Sequence, residues 1–188
     1  VVINNGVDTT EADSILTIPK ISSNSARICA CGRITKQKAP ELFNQIATQL
    51  PDVQFTWIGD GDLRNVLTSS NITVTGWVNH KETLKEMHKN DFYILTTYGE
   101  GLPLSLIDAM YMNLPCLASN VRGCKDVIVD GQNGFLCNNA EDFVKKIKQL
   151  SNDRNLYNCI SRQGHEVVMR DFNLDKMAED YRKVYESN

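Results

Sequence analysis

The sequence predicts a Rossmann-like, doubly wound α/β fold: a parallel sheet of about six strands with helices on both faces and further helices at the C-terminus. Three observations carry this. Short apolar runs alternate with amphipathic helical segments along almost the whole chain. The runs are continuous and not period-two, as strands buried on both faces require. They also end in glycine turns at Gly32, Gly59-Asp60-Gly61, Gly76 and Gly99-Glu100-Gly101. Right-handed crossovers put every strand-to-helix turn along one edge of such a sheet, the edge where open α/β sheets bind ligands.

Residues 1–8 hold an apolar trio, Val1-Val2-Ile3, and an Asn4-Asn5-Gly6 turn. Residues 9–26, rich in Thr, Ser and Asn, read as a linker or surface loop. Regular structure begins with a short strand, ARICACGR, that ends in glycine. Residues 39–50 read as a helix with Leu42, Phe43, Ile46, Ala47 and Leu50 on one face and Pro51 beyond its end. Residues 53–58 form a second strand and 62–67 a short helix; 72–75 form a third strand, ending at Gly76-Trp77. The helix at 80–89 carries Leu84, Met87 and His88 on its inner stripe.

The unit at 91–119 is a strand, a glycine-bracketed loop, a helix and a second buried strand. Pro103 falls in the first turn of that helix, where its missing N–H costs nothing. Leu104, Ile107 and Met110 recur at helical spacing, and Leu114-Pro115 ends the run. A loop at 120–125, a short helix around 126–129 and two turns, Asp130-Gly131 and Asn133-Gly134, precede the last strand at 135–137. Helices at 141–150, 153–170 and 174–186 complete the chain.

A length of 188 residues suits one domain with a real core. A net charge of −3 and the lack of a basic stripe argue against a nucleic-acid partner. Lys145, Lys146 and Lys148 form the densest basic cluster and read as the solvated face of a late helix. No apolar run approaches the roughly 20 residues of a membrane helix. The chain opens on Val1 without Met, which leaves a preceding segment open. The six cysteines have no metal-ligand spacing and read as buried, reduced thiols of a cytosolic protein. Asn71-Ile72-Thr73 matches a glycosylation sequon, a pattern too short to weigh much.

Arg33 and Lys38 flank the turn after the first strand, with Lys36 between them. An Arg grips two phosphate oxygens in a fork and a Lys reaches another as a point charge. Taken singly, each cation reads as loop solubilisation. Glu100 stands before the 91–119 helix and Asp108 within it, seven residues between them. The N–H groups of Gly101, Leu102 and Leu104 lie at the helix start, suited to phosphate or sugar oxygens. A structural βαβ crossover explains that stretch equally well. GxGxxG is absent after the first strand, against a nicotinamide or flavin enzyme, and GxSxG and GxxxxGK[ST] are absent altogether. His80, His88 and His165 are scattered, without paired carboxylates, and read as surface or helix-flanking residues; no metal site is expected.

The order of these pieces is more specific than any one of them. Asn5-Gly6-Val7-Asp8, Gly32-Arg33 with Lys38, Gly59-Asp60-Gly61, Gly76, Glu100-Gly101 with Asp108-Ala109-Met110, Leu114-Pro115, Asp130-Gly131 and Asn133-Gly134 together resemble the C-terminal domain of GT-B glycosyltransferases. The group resembled is family 4, whose members are retaining and use nucleotide sugars. The likeness spans nearly the whole chain and reaches Asp171-Phe172-Asn173-Leu174 and Tyr181…Val184-Tyr185 in the tail.

The resemblance implies that residues 1–188 are a single C-terminal, donor-binding domain, inactive without an N-terminal acceptor domain absent from the chain. It implies metal-independent transfer of a hexose from a UDP-sugar or GDP-sugar to a glycan or glycolipid acceptor. Polysaccharide assembly in the cytoplasm, at the inner face of the membrane with peripheral association of the full-length protein, goes with that reading. Carried over by position, Arg33 and Lys38, beside Gly32, hold the donor diphosphate. Gly59 belongs to the same glycine-lined edge. Gly76-Trp77-Val78 meets the base, Val78 through its backbone, and Glu100 bonds the sugar hydroxyls. Gly101, Leu102, Pro103 and Leu104 form the sugar- and phosphate-facing helix start, and Asp108 takes the place of an acid that binds the ribose.

Four departures stand out. Asp108 and Asp126 are each one methylene shorter than the usual glutamates, Ala39 replaces a glycine, and Arg122 stands in a usually glycine-glycine loop. A degenerate, non-catalytic GT-B domain serving as a binding module is therefore the alternative. A sugar-nucleotide epimerase shares the two-domain fold, but no residue arrangement favours it.

Overall fold

The computed structural model describes residues 3, 5–20 and 25–186. Val1, Val2 and Asn4 of the opening segment and residues 21–24 of the expected linker lie outside them. Six strands, β1 (Arg27–Cys31), β2 (Gln54–Ile58), β3 (Ile72–Val74), β4 (Phe92–Leu95), β5 (Cys116–Ser119) and β6 (Phe135–Cys137), form one sheet in the order β3-β2-β1-β4-β5-β6. All neighbours pair parallel, from Arg27 opposite Gln54 to Ser119 opposite Cys137. The strand order reverses between β1 and β4, so the turns after these two strands diverge around a crevice.

Alternation within the strands divides the core between the two faces. Ile28, Ala30, Phe55 and Trp57 face α2 (Pro40–Thr48) and α5 (Ala140–Asn152), where Phe43 packs edge-on to Phe55 and Trp57 at 5.5 and 4.9 Å. Cys29, Tyr93 and Cys116 face the side covered by α3 (His80–His88), α4 (Leu104–Tyr111) and part of α6 (Arg154–Asp171). All four residues of β4 and of β5 are buried, which explains their unbroken apolar runs. The six cysteines are free, with Cys29, Cys116, Cys124 and Cys137 buried. Lys145 and Lys148 are exposed as a solvated face, while Lys146 lies 4.3 Å over the Phe135 ring.

Several expectations need correction. Residues 9–26 are not simply a linker: Thr10–Leu16 is a helix, α1, that buries Ala12 and Ile15. Its start is legible in hindsight, since Asp8 Oδ1 accepts the Thr10 N–H and two acids occupy its first turn. The helix expected around 126–129 is a series of turns over 122–127, and the one at 62–67 shrinks to a 3-10 turn at Arg64–Val66. Leu104 is 44% exposed and leaves the expected stripe, while Ile107 and Met110 are buried together with Leu106, Ala109 and Tyr111. Thr83, not His88, joins Leu84 and Met87 as the buried residues of α3. The sequon asparagine is unavailable to a modifying enzyme, because buried Asn71 donates to the carbonyls of Ala47, Leu50 and Val53.

The last helix, α7 (Leu174–Glu186), follows α6 through a short corner. The opening segment is pinned there: Val7 N–H donates to the Phe172 carbonyl at 2.8 Å. A side chain at Gly6 would stand 2.4 Å from the Asn173 backbone, so only glycine allows this approach.

Candidate functional site

The turn after β1 is built for close approach. Gly32 has φ +136, and its carbonyl accepts the Trp57 indole N–H at 2.9 Å. Gly59, at φ +131, closes the neighbouring turn so tightly that a Cβ would lie 2.4 Å from the Gly32 oxygen. Its role is thus in the packing of the two turns. The chain then runs through a 3-10 turn, Lys36–Lys38, to Ala39, which is fully buried in the left-handed region at φ 43. That conformation is the physical reason a glycine suits position 39.

The turns after β1 and β4 are stitched together across the crevice. Thr96 Oγ1 donates to the Lys38 carbonyl at 2.9 Å, Tyr98 N–H to the Gln37 carbonyl at 2.9 Å, and Gln37 Nε2 to the Gly99 carbonyl at 2.8 Å. This frame brings Lys38 Nζ to 2.8 Å from Glu100 Oε1, with the side chains 17% and 8% exposed. The two residues expected to meet different parts of a donor therefore meet each other. Lys36 points to solvent.

Beside this pair opens a cleft of about 780 Å³ lined by Ile3, Asn5, Glu100, Gly101, Leu102, Arg122 and Asp126. Glu100, Gly101 and Leu102, expected from the sequence at a donor site, are among its lining. Gly123, not singled out in the sequence, packs against Glu100: at φ +84 a Cβ would stand 2.5 Å from the Glu100 carbonyl oxygen. Arg122 accepts the Glu100 N–H through its carbonyl at 3.3 Å, and Asp126 Oδ2 accepts the Gly123 N–H at 3.2 Å. The short Asp126 thus holds the turn under Glu100. Pro103 is buried and stands just before α4, at its N-cap, one position earlier than expected. The first N–H groups of α4 carry the positive end of its dipole toward this edge.

On the other side of Lys38, exposed Arg33 lies 5.8 Å from the centre of the Trp77 ring, a cation over an aromatic face. Trp77 is 66% exposed, Val78 is also exposed, and Gly76, at φ +78, bridges to Gly59. The Gly76-Trp77-Val78 loop and the turn after β1 are therefore neighbours.

Asp108 stands apart from the open cleft, and His80 is where sequence reading failed. Far from lacking carboxylates, the His80 ring lies between two, Asp108 Oδ2 and Glu11 Oε2, each at 3.2 Å. Burial pulls the His80 pKa down, but Asp108 and Glu11 outweigh it and the net shift is upward. Burial raises the Asp108 carboxyl, against the pull of His80. Cys31, at the end of β1, is pushed up to about 12 by burial, with Asp108 adding to the rise and Lys38 opposing it. Among the described residues, no group of three or more His, Cys, Asp and Glu is arranged to hold a metal ion.

Fold and site together define a class: a doubly wound domain whose strand-order reversal carries a paired cation and acid beside a polar cleft. Residues 25–153 match the family described as Glycosyl transferases group 1, and the chain belongs to that family, which is of GT-B type. A curated relative is the UDP-Gal:alpha-D-GlcNAc-diphosphoundecaprenol alpha-1,3-galactosyltransferase of Escherichia coli, 27% identical across 98% of this chain and 53% of its own length. The chain thus spans about half of that relative. Among solved structures, HepE from Anabaena in complex with UDP-glucose superposes with a TM-score of 0.86 at 17% identity, over 100% of this chain and 57% of that one. The C-terminal domain of a glycosyl transferase group 1 family protein from Francisella tularensis superposes with a TM-score of 0.70 at 20% identity, over 92% of this chain and 97% of that one. At these identities the structural likeness establishes the fold.

Proposed function

We propose that this chain is the donor-binding, C-terminal domain of a retaining glycosyltransferase that moves a hexose from a UDP-sugar or GDP-sugar to a glycan or glycolipid acceptor. The observation that carries the reading is the Lys38–Glu100 pair, 2.8 Å apart at the strand-order reversal and beside the open cleft. Cleavage of a sugar–phosphate bond builds negative charge on the departing diphosphate and positive charge on the sugar ring. Lys38, Arg33 and the start of α4 offer fixed positive charge to the first. Glu100 accepts from sugar hydroxyls and positions the ring. In the free site the two side chains pair with each other at 2.8 Å in a largely buried place.

Trp77 and Val78 meet the base, and Asp108 meets the ribose. The charge for leaving-group departure comes from Lys38, Arg33 and backbone dipoles, which makes the reaction metal-independent. Acceptor activation belongs to an N-terminal domain, and that half is needed for turnover. The E. coli relative's lipid-diphosphate acceptor supports a cytoplasmic reaction at the inner membrane face, with the protein peripherally attached.

Calorimetric titration with UDP and with GDP tests this. One of them binds, and Arg33→Ala or Lys38→Ala weakens it by about tenfold or more, the worth of a charge-assisted contact. Absence of binding at millimolar ligand would overturn the reading. Asp108→Glu separates the alternative: a strong gain in affinity marks a weakened, binding-only site.

A further inference from the structure

We propose that His80 is a positioning residue for nucleotide binding: it holds the shortened acid Asp108 in the orientation that offers its free oxygen to a ribose diol, while Glu11 holds His80. This rests on the donor-site reading above.

The geometry places the pair where a ribose belongs under that reading. His80 is the first residue of α3 and follows the Gly76-Trp77-Val78 loop directly through Asn79. Asp108 lies on α4 with its side chain 13% exposed, and, with burial, its charge helps to raise the thiol of Cys31, the last residue of β1 before Gly32 and Arg33. The contact between His80 and Asp108 ties the start of α3, just after that loop, to α4.

An aspartate is one methylene short of the usual acid, and its carboxylate turns about χ1 and χ2 among several wells. A hydrogen bond to one oxygen selects a single well and leaves the other oxygen to accept. His80 supplies that bond at 3.2 Å through Nε2, and Nδ1 is taken by Glu11 Oε2 at 3.2 Å. With a carboxylate on each side both ring nitrogens are engaged, and against the pull of burial these two acids raise the His80 pKa. The ring has no donor left for the ligand, so it acts through Asp108.

A second tie steadies the arrangement from the same helix. Tyr111 on α4 donates its hydroxyl to Asp13 Oδ1 on α1 at 2.5 Å. Helix α1, unseen in the sequence, thus braces α3 through Glu11 and α4 through Asp13. A purely structural role explains His80 less well. A cation at the first position of α3 opposes the helix dipole, so the helix gains nothing from it. The charged groups that face His80 are Glu11 on α1, Asp8 just before α1, and Asp108 on α4.

The test is calorimetry on the intact protein with UDP and GDP, each against its 2′,3′-dideoxy counterpart. The wild type binds the ribonucleotide about tenfold more tightly, the worth of a hydrogen bond to a charged acceptor. In His80→Ala that ratio falls to about twofold while dideoxynucleotide affinity is unchanged, because only the ribose contact is lost. His80→Gln, which keeps an uncharged donor toward Asp108, retains most of the ratio and guards against a folding defect in the alanine variant. Equal weakening of both ligands in His80→Ala marks a structural role and overturns the inference. So does an unchanged ratio. A wild type that binds both ligands equally keeps its donor site but overturns the role of His80. A wild type that binds neither overturns the donor-site reading and this inference with it.

Discussion

Replacing Lys38 with Met removes the cation from the Lys38–Glu100 pair while keeping the length of its stem. At 2.8 Å the gross attraction is about 6 kcal/mol with an effective dielectric of about 20. Desolvation of both groups offsets much of this. Exposed pairs are worth about 0–1 kcal/mol, whereas breaking a buried pair costs about 3–5 kcal/mol. With side chains 17% and 8% exposed, the pair stands nearer the buried limit, and Lys38→Met is expected to cost about 2–3 kcal/mol. Most of that cost comes from the Glu100 carboxylate left without its partner. Glu100→Gln in the same chain then recovers part of it, giving a coupling of about 2 kcal/mol in the double-mutant cycle. The bonds from Thr96, Tyr98 and Gln37 keep the two turns together, so every variant in the cycle folds. Urea unfolding of the four proteins measures the coupling. A value below about 0.5 kcal/mol would show a pair screened like a surface one and refute the reasoning.

Two further outcomes follow from the same geometry. Gly123→Ala places a Cβ 2.5 Å from the Glu100 carbonyl at φ +84; it is expected to cost at least about 2 kcal/mol in urea unfolding and to abolish nucleotide binding, and an unchanged midpoint with intact binding contradicts the packing described. The His80 pKa is raised in the folded state, so its ion pairs stabilise fully below the ordinary His value and are lost as pH rises through the raised one. The ring is 49% exposed, which limits the effect to about 1 kcal/mol, lost as pH rises from the ordinary His value into the alkaline range. Unfolding free energies of wild type and His80→Gln across that range measure it, and equal slopes would contradict the assignment.

Much of the fold was legible because its causes are local. The four-residue runs of β4 and β5 are wholly apolar because both faces of a central parallel strand are covered. Glycine turns after β1, β2, β3 and β4 mark one edge of the sheet, so Arg33, Lys38 and Glu100 could be assigned to it from handedness alone. Helix α1 escaped notice because its apolar content is slight and its buried face forms when it packs against α3. Leu104 fitted the helical stripe yet lies at the exposed first turn, where the periodic pattern says nothing of the neighbour beyond the helix end.

By itself, the sequence determined the types of element, the order of turns along one edge and the identity of the cationic and acidic residues there. Periodicity, glycine turns and helix starts are set within a few residues by backbone geometry and burial. Only the tertiary structure decided which of those residues touch. Lys38 meets Glu100 across 62 positions because β1 lies beside β4 in the sheet. His80 meets Asp108 and Glu11 because α1 and α4 both border the start of α3. Those pairings depend on distances through space, and strand order and helix packing create them only once the chain has folded.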